Sequence, residues 1–356
     1  MRRLAPGLLW ILLVASPAAS QTPDLTLDAS LVFYADNTEF SNEFRTGQTL
    51  VGTFGTAVLE ADVNDRLSLR AGAFGHQRFG SHASFDQARP VLAVVIRGPQ
   101  SRIVLGTIET MRRADGPGPD RTSPHGLLPS FQQETLAFDR PFEAGLQWMV
   151  DTERVTQDSW IHWQRRNTGT EREVFDVGIV STVRLRPEFA LRHQLHIVHQ
   201  GGQKGGAPEP VSDNIAAAVG VEVGGPVGRL DRLGLEMLVA GSRHVPDRGQ
   251  SERSLNGFAT FVRISIEGAP WRLHAILWRA DDFIKAEGDP LYQSLRRDGT
   301  RYRSLRDYGE AGLTRSFTLA PDSALEASVR LHRVERAYDY SVRVLAVTRV
   351  RVGLTR

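Results

Sequence analysis

The chain has 356 residues, of which 41% are hydrophobic and 24% are charged, and it contains no cysteine. The lack of cysteine excludes disulfides, thiolate metal sites, a cysteine nucleophile and a lipoprotein anchor. Lysine and arginine (43) nearly balance aspartate and glutamate (41), so the net charge gives no argument for binding nucleic acid.

The first twenty residues predict a secretory signal peptide. Two arginines precede an apolar run over residues 8–15, and small residues follow at 18–20. The run is too short to span a bilayer comfortably, and no later segment approaches 18 consecutive apolar residues. We expect a cleaved leader over residues 1–20 and an exported mature chain over 21–356, with an uncleaved anchor as the alternative.

Period-2 alternation dominates the mature chain and predicts strands with one apolar and one polar face. The segment 324–332 and the last segment, 338–354, alternate most clearly, and no stretch shows a convincing 3.6-residue period. The predicted strands, in chain order, cover residues 24–36, 48–63, 66–78, 90–98, 101–112, 143–153, 158–166, 172–186, 188–200, 213–224, 230–243, 253–267, 271–280, 304–319, 323–333 and 338–354. This even number is what a closed barrel with both termini on the periplasmic side requires.

The connections alternate between short turns and long polar loops. Residues 98–100 and 268–270 are tight breakers, whereas 114–141 and 281–304 are long. Tight turns on one rim and long loops on the other describe an outer-membrane barrel. The predicted fold is therefore an all-β, transmembrane antiparallel barrel of about sixteen strands over 21–356.

Three features favour a membrane barrel over a soluble exported β-rich protein, which stays open as an alternative. The polar faces carry ionisable side chains in mid-strand, aromatic residues cluster near strand ends, and the alternation runs through ten or more residues. Arg315 and His193 fit less well, because both fall on the apolar parity of their strands. A bulge, or a position near the headgroups, would remove that conflict.

At this level the chain resembles the sixteen-stranded general porins of bacterial outer membranes, in topology and without a shared sequence motif. The segment 114–141 follows the fifth strand, which makes it the third outer loop, and the resemblance implies that it folds into the lumen and narrows it. Residues 127–131 would supply an apolar patch to pack on the wall. The arginine-rich lumen is also similar, more weakly, to alginate-type exopolysaccharide exporters. Unlike most such barrels, this chain has Leu354 and no aromatic residue at its end.

The polar parity predicts the residues that line the lumen. The predicted pore-lining residues are Arg70, Arg102, Arg184, Arg192, Glu222, Glu236, Arg263, Arg272, Glu310, Glu326, Arg330 and Arg343. The predicted constriction residues on the third loop are Asp115, Asp120, Arg121, His125 and Glu134. A modest excess of arginine favours anions in a narrow pore. Alternatively, the arginines pair with acids across neighbouring strands and stiffen the wall.

Motifs of known enzyme classes are not found. GxSxG, HExxH, GxGxxG and P-loop patterns are missing, and no Ser, His and third polar group can be named for a lipase site on the outer face. His193, His196 and His199 would point to opposite faces of a strand, so we expect no metal there and no cofactor. The carboxylates of Glu109 and the third loop are interpreted as a charged constriction. We therefore expect that the protein is not an enzyme.

The sequence favours a passive outer-membrane channel for small hydrophilic solutes with a mild anion preference. The alternatives are a duct for secreting an acidic polysaccharide and a soluble exported carbohydrate-binding protein. The expected partners are outer-membrane lipids and small anionic or sugar solutes, with a homotrimer or a secretion apparatus as further options and no nucleic acid.

Overall fold

The computed structural model describes residues 24–110, 124–202 and 207–354. Within these residues the chain forms sixteen strands and little helix. The strands are β1 Asp24–Glu39, β2 Gln48–Asn64, β3 Leu67–Arg78, β4 Gln87–Arg97, β5 Ser101–Thr107, β6 Ala144–Asp151, β7 Val155–Arg165, β8 Glu173–Arg186, β9 Phe189–Gly201, β10 Ser212–Val227, β11 Leu230–Val245, β12 Leu255–Gly268, β13 Trp271–Asp281, β14 Arg306–Ala320, β15 Ser323–Val334 and β16 Ala337–Gly353. The predicted signal peptide lies outside the described residues.

Each strand pairs antiparallel with the next, and β16 pairs with β1 to close the barrel. The closing ladder runs from Thr26 opposite Gly353 to Glu39 opposite Tyr340. The last strand thus pairs along nearly its whole length although no aromatic residue ends the chain. The predicted fold class, a sixteen-stranded antiparallel transmembrane barrel, is confirmed.

The largest boundary error is at β5, which was predicted to extend to residue 112 and ends at Thr107. Gly106 there has φ +119°, a backbone conformation that side chains rarely permit. Pairing with β4 ends at Gly106, opposite Ala93, while the N–H of Ile108 still donates to the carbonyl of Glu143, just before β6, at 3.1 Å. The third outer loop begins here.

The two faces of each strand differ as the alternation predicts. On β13, Leu273 and Leu277 are 46% and 59% exposed on the outside, whereas Ile276 and Trp278 are buried inside. Outward-facing aliphatic side chains suit hydrocarbon, because no protein layer covers them. On the same strand Arg272 and His274 are buried on the lumen side.

Three outer loops fill the outer half of the lumen, and they are called loop 1 (residues 40–47), loop 3 (its described residues 108–110 and 124–143) and loop 7 (282–305). Loop 3 contains a short turn at Pro124–Gly126 and the one-turn helix α1, Leu136–Asp139; loop 7 contains a turn at Pro290–Tyr292. None of the helices in the described part of the chain is long and apolar enough to cross a membrane.

Loop 3 and loop 7 are held in the barrel by apolar packing. Phe131 of loop 3 stacks against Phe283 of loop 7, with ring centroids 6.1 Å apart, and both rings are fully buried. Phe138 of α1 stacks on Tyr34 of the wall at 4.6 Å. Because burying an aromatic ring is worth roughly 1.5–3 kcal/mol, these contacts supply much of the free energy that docks the loops.

The two residues that fitted the alternation poorly do lie on the outer face. Arg315 is exposed near the periplasmic end of β14, where its guanidinium lies 5.0 Å from the ring of Trp271 and 4.7 Å from that of Phe317. The free-energy cost of this charge on the outer face is low, because the two aromatic rings attract the guanidinium and the headgroup region is near. His193 is exposed on β9, opposite Ser181 and Val219.

Candidate active site

A polar chamber lies in the lumen beneath the three loops. Its walls come from β1, β14, β15 and β16, and its roof from loops 1, 3 and 7. The cavity has a volume of about 30 Å³, enough for one or two water molecules. Its lining residues are Asp36, Thr38, Phe40, Arg45, Pro129, Glu134, Thr135, Asp289, Tyr292, Tyr308, Glu310, Arg330, His332, Ser341 and Arg343.

A serine and a histidine meet on the wall of this chamber. A two-residue connection between β15 and β16 fixes their register, so that Arg330 lies opposite Ser341. His332 is two residues further along β15 and therefore shares the lumen face with Arg330. The hydroxyl of Ser341 lies 2.9 Å from Nε2 of His332, and both side chains are buried.

The neighbours of His332 determine which of its ring nitrogens carries the proton. Tyr308 on β14 donates its hydroxyl hydrogen to Oε2 of Glu310 at 2.6 Å, and Nδ1 of His332 lies 2.8 Å from the same hydroxyl oxygen. Because that oxygen has given its hydrogen to the carboxylate, it accepts from Nδ1–H. Nε2 is then left to accept the hydrogen of Ser341. The result is a hydrogen-bonded chain of serine, histidine, tyrosine and glutamate, an order that can activate the serine hydroxyl.

Two arginines flank the serine and share one carboxylate. Oε2 of Glu134, which belongs to loop 3, accepts from Nη1 of Arg330 at 2.7 Å and from Nη1 of Arg343 at 2.8 Å. Arg343 also donates from Nε to Asp36 on the neighbouring strand at 3.0 Å. Loop 3 is therefore attached to the chamber wall by charge as well as by apolar packing.

Loops 1 and 7 complete the roof. Arg45 of loop 1 forms an ion pair with Asp289 of loop 7, and burial raises the pKa of Asp289 while Arg45 opposes that rise. Phe40 of loop 1 packs edge-on against the ring of His332, with centroids 5.0 Å apart. The chamber is thus covered from three directions.

A second polar cluster connects loop 3 to β7, which lies across the barrel from the chamber wall in the order of the strands. His125 is buried between Asp158 (Nδ1 to Oδ2, 2.9 Å) and Glu143 (Nε2 to Oε2, 3.1 Å), and it stacks on Trp160 at 3.8 Å. Burial disfavours the charged imidazole, but the two carboxylates outweigh it and raise the pKa of His125 to about 9. His125 is therefore a cationic anchor for loop 3.

The cluster continues along the wall towards loop 7. Nδ1 of His162 lies 3.1 Å from Asp176, and Asp176 is 3.4 Å from Nε2 of His196. His196 in turn lies 3.8 Å from Glu287 of loop 7. In the parts of the chain described by the structure, no group of three or more His, Asp or Glu side chains has the arrangement of a metal site.

The predicted pore-lining residues mostly meet acids inside the barrel. Arg70 bonds Glu60 directly across β2 and β3 at 2.8 Å, as the stiffened-wall alternative expects. Other pairs among the predicted set are Arg102 with Glu109, Arg192 with Glu222 and Glu236, and Arg272 with Glu326. Arg184 is exposed, and Arg263 lies 6.0 Å from the ring of Phe261. That these residues line a conducting pore stays a prediction.

Of the predicted constriction residues, Asp115, Asp120 and Arg121 lie outside the described residues. His125 and Glu134 are both buried and ion-paired, as given above. Sequence reasoning missed Ser341, His332 and Tyr308 as a group, because it looked for a serine hydrolase only on the outer face. The sequence did contain the information: both residues lie on the polar faces of their strands, and the tight β15–β16 connection places those two polar faces side by side.

The comparisons with known proteins agree on the class. Solved structures with the same fold include the outer membrane protein OmpT of Vibrio cholerae with loop L8 deleted (TM-score 0.54, 8% identity, 93% of this chain and 100% of that chain) and OccK8 (OprE) of Pseudomonas aeruginosa (TM-score 0.54, 9% identity, 92% and 98%). The outer membrane protein opdK of P. aeruginosa matches similarly (TM-score 0.53, 11% identity, 92% and 99%). This protein is thus an outer-membrane-type β-barrel, and its topological resemblance to sixteen-stranded outer-membrane proteins is confirmed.

A family model identifies the protein more narrowly. The model described as lipid A 3'-O-deacylase-type matches residues 17–355, so the chain belongs to that family. No curated protein sequence matches. The expectation that the protein is not an enzyme is wrong, because the family is named for an enzyme. No motif indicated an enzyme, because side chains that meet from three different strands, as Ser341, His332 and Tyr308 do, leave no contiguous pattern in the sequence.

Proposed function

We propose that this protein is an outer-membrane acyl-ester hydrolase, with Ser341 as the nucleophile and His332 as the general base. The observation that carries the proposal is the contact of 2.9 Å between the Ser341 hydroxyl and Nε2 of His332, whose Nδ1 is oriented by Tyr308. Ester hydrolysis through an acyl-enzyme needs this order of nucleophile, base and orienting group. The family to which the chain belongs supports the same reaction class.

The reaction balances with these side chains and water. Oγ of Ser341 attacks the ester carbonyl carbon while His332 takes the hydroxyl proton on Nε2. The tetrahedral intermediate collapses, the bond from carbon to the alcohol oxygen breaks, and His332 protonates the leaving alcohol. Water then attacks the acyl-serine with His332 again as base, which releases the fatty acid and restores the serine hydroxyl. Tyr308 and Glu310 hold the imidazole and stabilise its cationic form during both steps.

The class of substrate is inferred from the location of the barrel in the outer membrane and from the family to which the chain belongs. An outer-membrane barrel encounters lipids of that membrane, and the family's name points to an acyl ester of lipid A. The chamber as it stands holds only one or two waters, so an acyl ester enters only when the roof of loops 1, 3 and 7 is displaced. Displacement of loops over a preformed site is a common step in enzymes.

The test measures fatty-acid release from lipid A in vesicles that contain the purified barrel. Ser341→Ala and His332→Gln should each lower the rate at least a thousandfold, since removing one member of such a unit removes most of its effect. The matched control is Ser30→Ala, a lumen-side serine whose hydroxyl contacts Thr56 at 2.8 Å and no histidine. Equal rates for Ser341→Ala and Ser30→Ala would exclude the proposed nucleophile.

A second candidate function is diffusion of small hydrophilic solutes with a mild anion preference. It is favoured by the periplasmic half of the lumen, where a cavity of about 150 Å³ is lined by Arg184, Arg192 and Arg232 together with Glu188 and Glu222. Reversal potentials in planar bilayers test it, and a preference for cations would contradict it. OmpT of Vibrio cholerae is described in a trimer form; a trimer, or a partner in a secretion apparatus, stays a prediction for this chain.

A further inference from the structure

We propose that Arg330 and Arg343 form a binding site for an anionic group of the substrate, a phosphate or a carboxylate, and that Glu134 of loop 3 occupies this site in the closed state. The name anion clamp is used below for Arg330 and Arg343. The proposal rests on the proposed function, which it deepens by stating the charge of the substrate next to the ester.

The carboxylate that bridges the clamp comes from a loop and not from the barrel wall. Asp36 and Glu310 also contact the two arginines, and both lie on the wall itself: Asp36 is the cross-strand neighbour of Arg343, and Glu310 lies 3.7 Å from Arg330. Glu134 alone among these acids is carried by a loop. One of its oxygens bridges both guanidinium groups, at 2.7 and 2.8 Å, which is how a bound anion would be held.

The clamp lies next to the proposed nucleophile. Arg330 lies directly opposite Ser341 on the neighbouring strand, and Arg343 is two residues from Ser341 on the same face of β16. Two residues along a strand span about 7 Å. A substrate whose anionic group is bound in the clamp would therefore have its neighbouring ester close to the serine hydroxyl.

Entry of the substrate and release of the clamp need the same movement of loop 3. Glu134, Pro129 and Thr135 of loop 3 all line the chamber, and its 30 Å³ cannot admit an ester while they are in place. When loop 3 leaves, it takes Glu134 with it and exposes two buried guanidinium groups. The two arginines then keep Asp36 and Glu310 but lose one carboxylate contact, which an anionic substrate replaces and a neutral one does not.

The test compares Glu134→Gln with Asp139→Asn. Both residues belong to loop 3, but Asp139 pairs with Arg78, away from the clamp. The first readout is binding of inorganic phosphate by calorimetry in a Ser341→Ala background, where no chemistry occurs. We expect Glu134→Gln to raise the phosphate affinity at least tenfold over the parent, and Asp139→Asn to leave it unchanged. No gain in Glu134→Gln, or an equal gain in both variants, overturns the anion clamp.

The second readout uses the active protein and three short acyl esters that differ in one substituent: neutral, carboxylate or phosphate. In Glu134→Gln, kcat/KM for the two anionic esters should rise several-fold more than for the neutral ester, and their ratio tells which anion the clamp prefers. Equal changes for all three esters overturn the proposal. Tighter phosphate binding without hydrolysis of any ester would contradict the proposed function and leave the anion clamp supported.

Discussion

The cationic anchor of loop 3 makes the docking of that loop depend on pH. The pKa of His125 is about 9 in the folded protein and near 6.5 when the side chain is free in solvent. Because the folded-state pKa is raised, the charged imidazole stabilises docking fully below pH 6.5, and this contribution is lost as the pH rises through 9. The full contribution is roughly 3 kcal/mol, of which about 1.5 kcal/mol disappears between pH 6.5 and 8.

The window from pH 6.5 to 8 isolates this residue from the buried lysine of loop 7. Burial lowers the pKa of Lys285 to about 8, so its buried charge is relieved mainly as the pH rises through 8 and beyond, with the opposite and smaller effect on stability in this window. Hydrogen exchange of residues 124–143, corrected for intrinsic rates, should show protection falling about tenfold from pH 6.5 to 8. In His125→Asn, which tolerates the local φ of +57°, protection should be lower and nearly independent of pH.

The matched control for this experiment is His82→Asn, since His82 is exposed and lies outside loops 1, 3 and 7. It should reproduce the parent at both pH values. An unchanged pH dependence in His125→Asn would refute the assignment of the anchor to His125.

Further outcomes are expected from the same contacts. Tyr308→Phe keeps the ring and removes the hydroxyl that orients His332, so the deacylation rate should fall about a hundredfold while the barrel keeps its heat-modifiable mobility on gels; an unchanged rate would exclude the orienting role. Phe138→Ala removes the ring stacked on Tyr34 and should weaken docking of loop 3 by roughly 3–5 kcal/mol, seen as faster proteolysis within that loop. Deleting residues 127–139 should raise single-channel conductance in planar bilayers, whereas equal conductance would mean that loop 3 does not obstruct the lumen.

The strands of this fold are predictable from the sequence because their faces meet different solvents. Hydrocarbon outside and polar groups inside impose alternation on every strand, and an even number of strands between short and long connections implies the order in the sheet. Even Arg315 fell on its predicted face, although only the structure revealed the two aromatic rings beside it.

The chamber is less predictable because its parts meet through contacts distant in sequence. Glu134 is 196 residues from Arg330 and 209 from Arg343. No feature of the sequence around Glu134 indicates which acid of a long loop will contact an arginine on the far wall. Ser341 and His332 are only nine residues apart, and here the two-residue connection made their meeting inferable.

The most direct measurement of the central claim is the mass of the peptide that contains Ser341 after reaction with a fluorophosphonate, a reagent that forms a stable adduct with serine nucleophiles activated by a histidine. The account predicts a single adduct on Ser341 that is absent in His332→Gln and forms faster in Glu134→Gln. No adduct on Ser341 under conditions that label another serine would contradict the account.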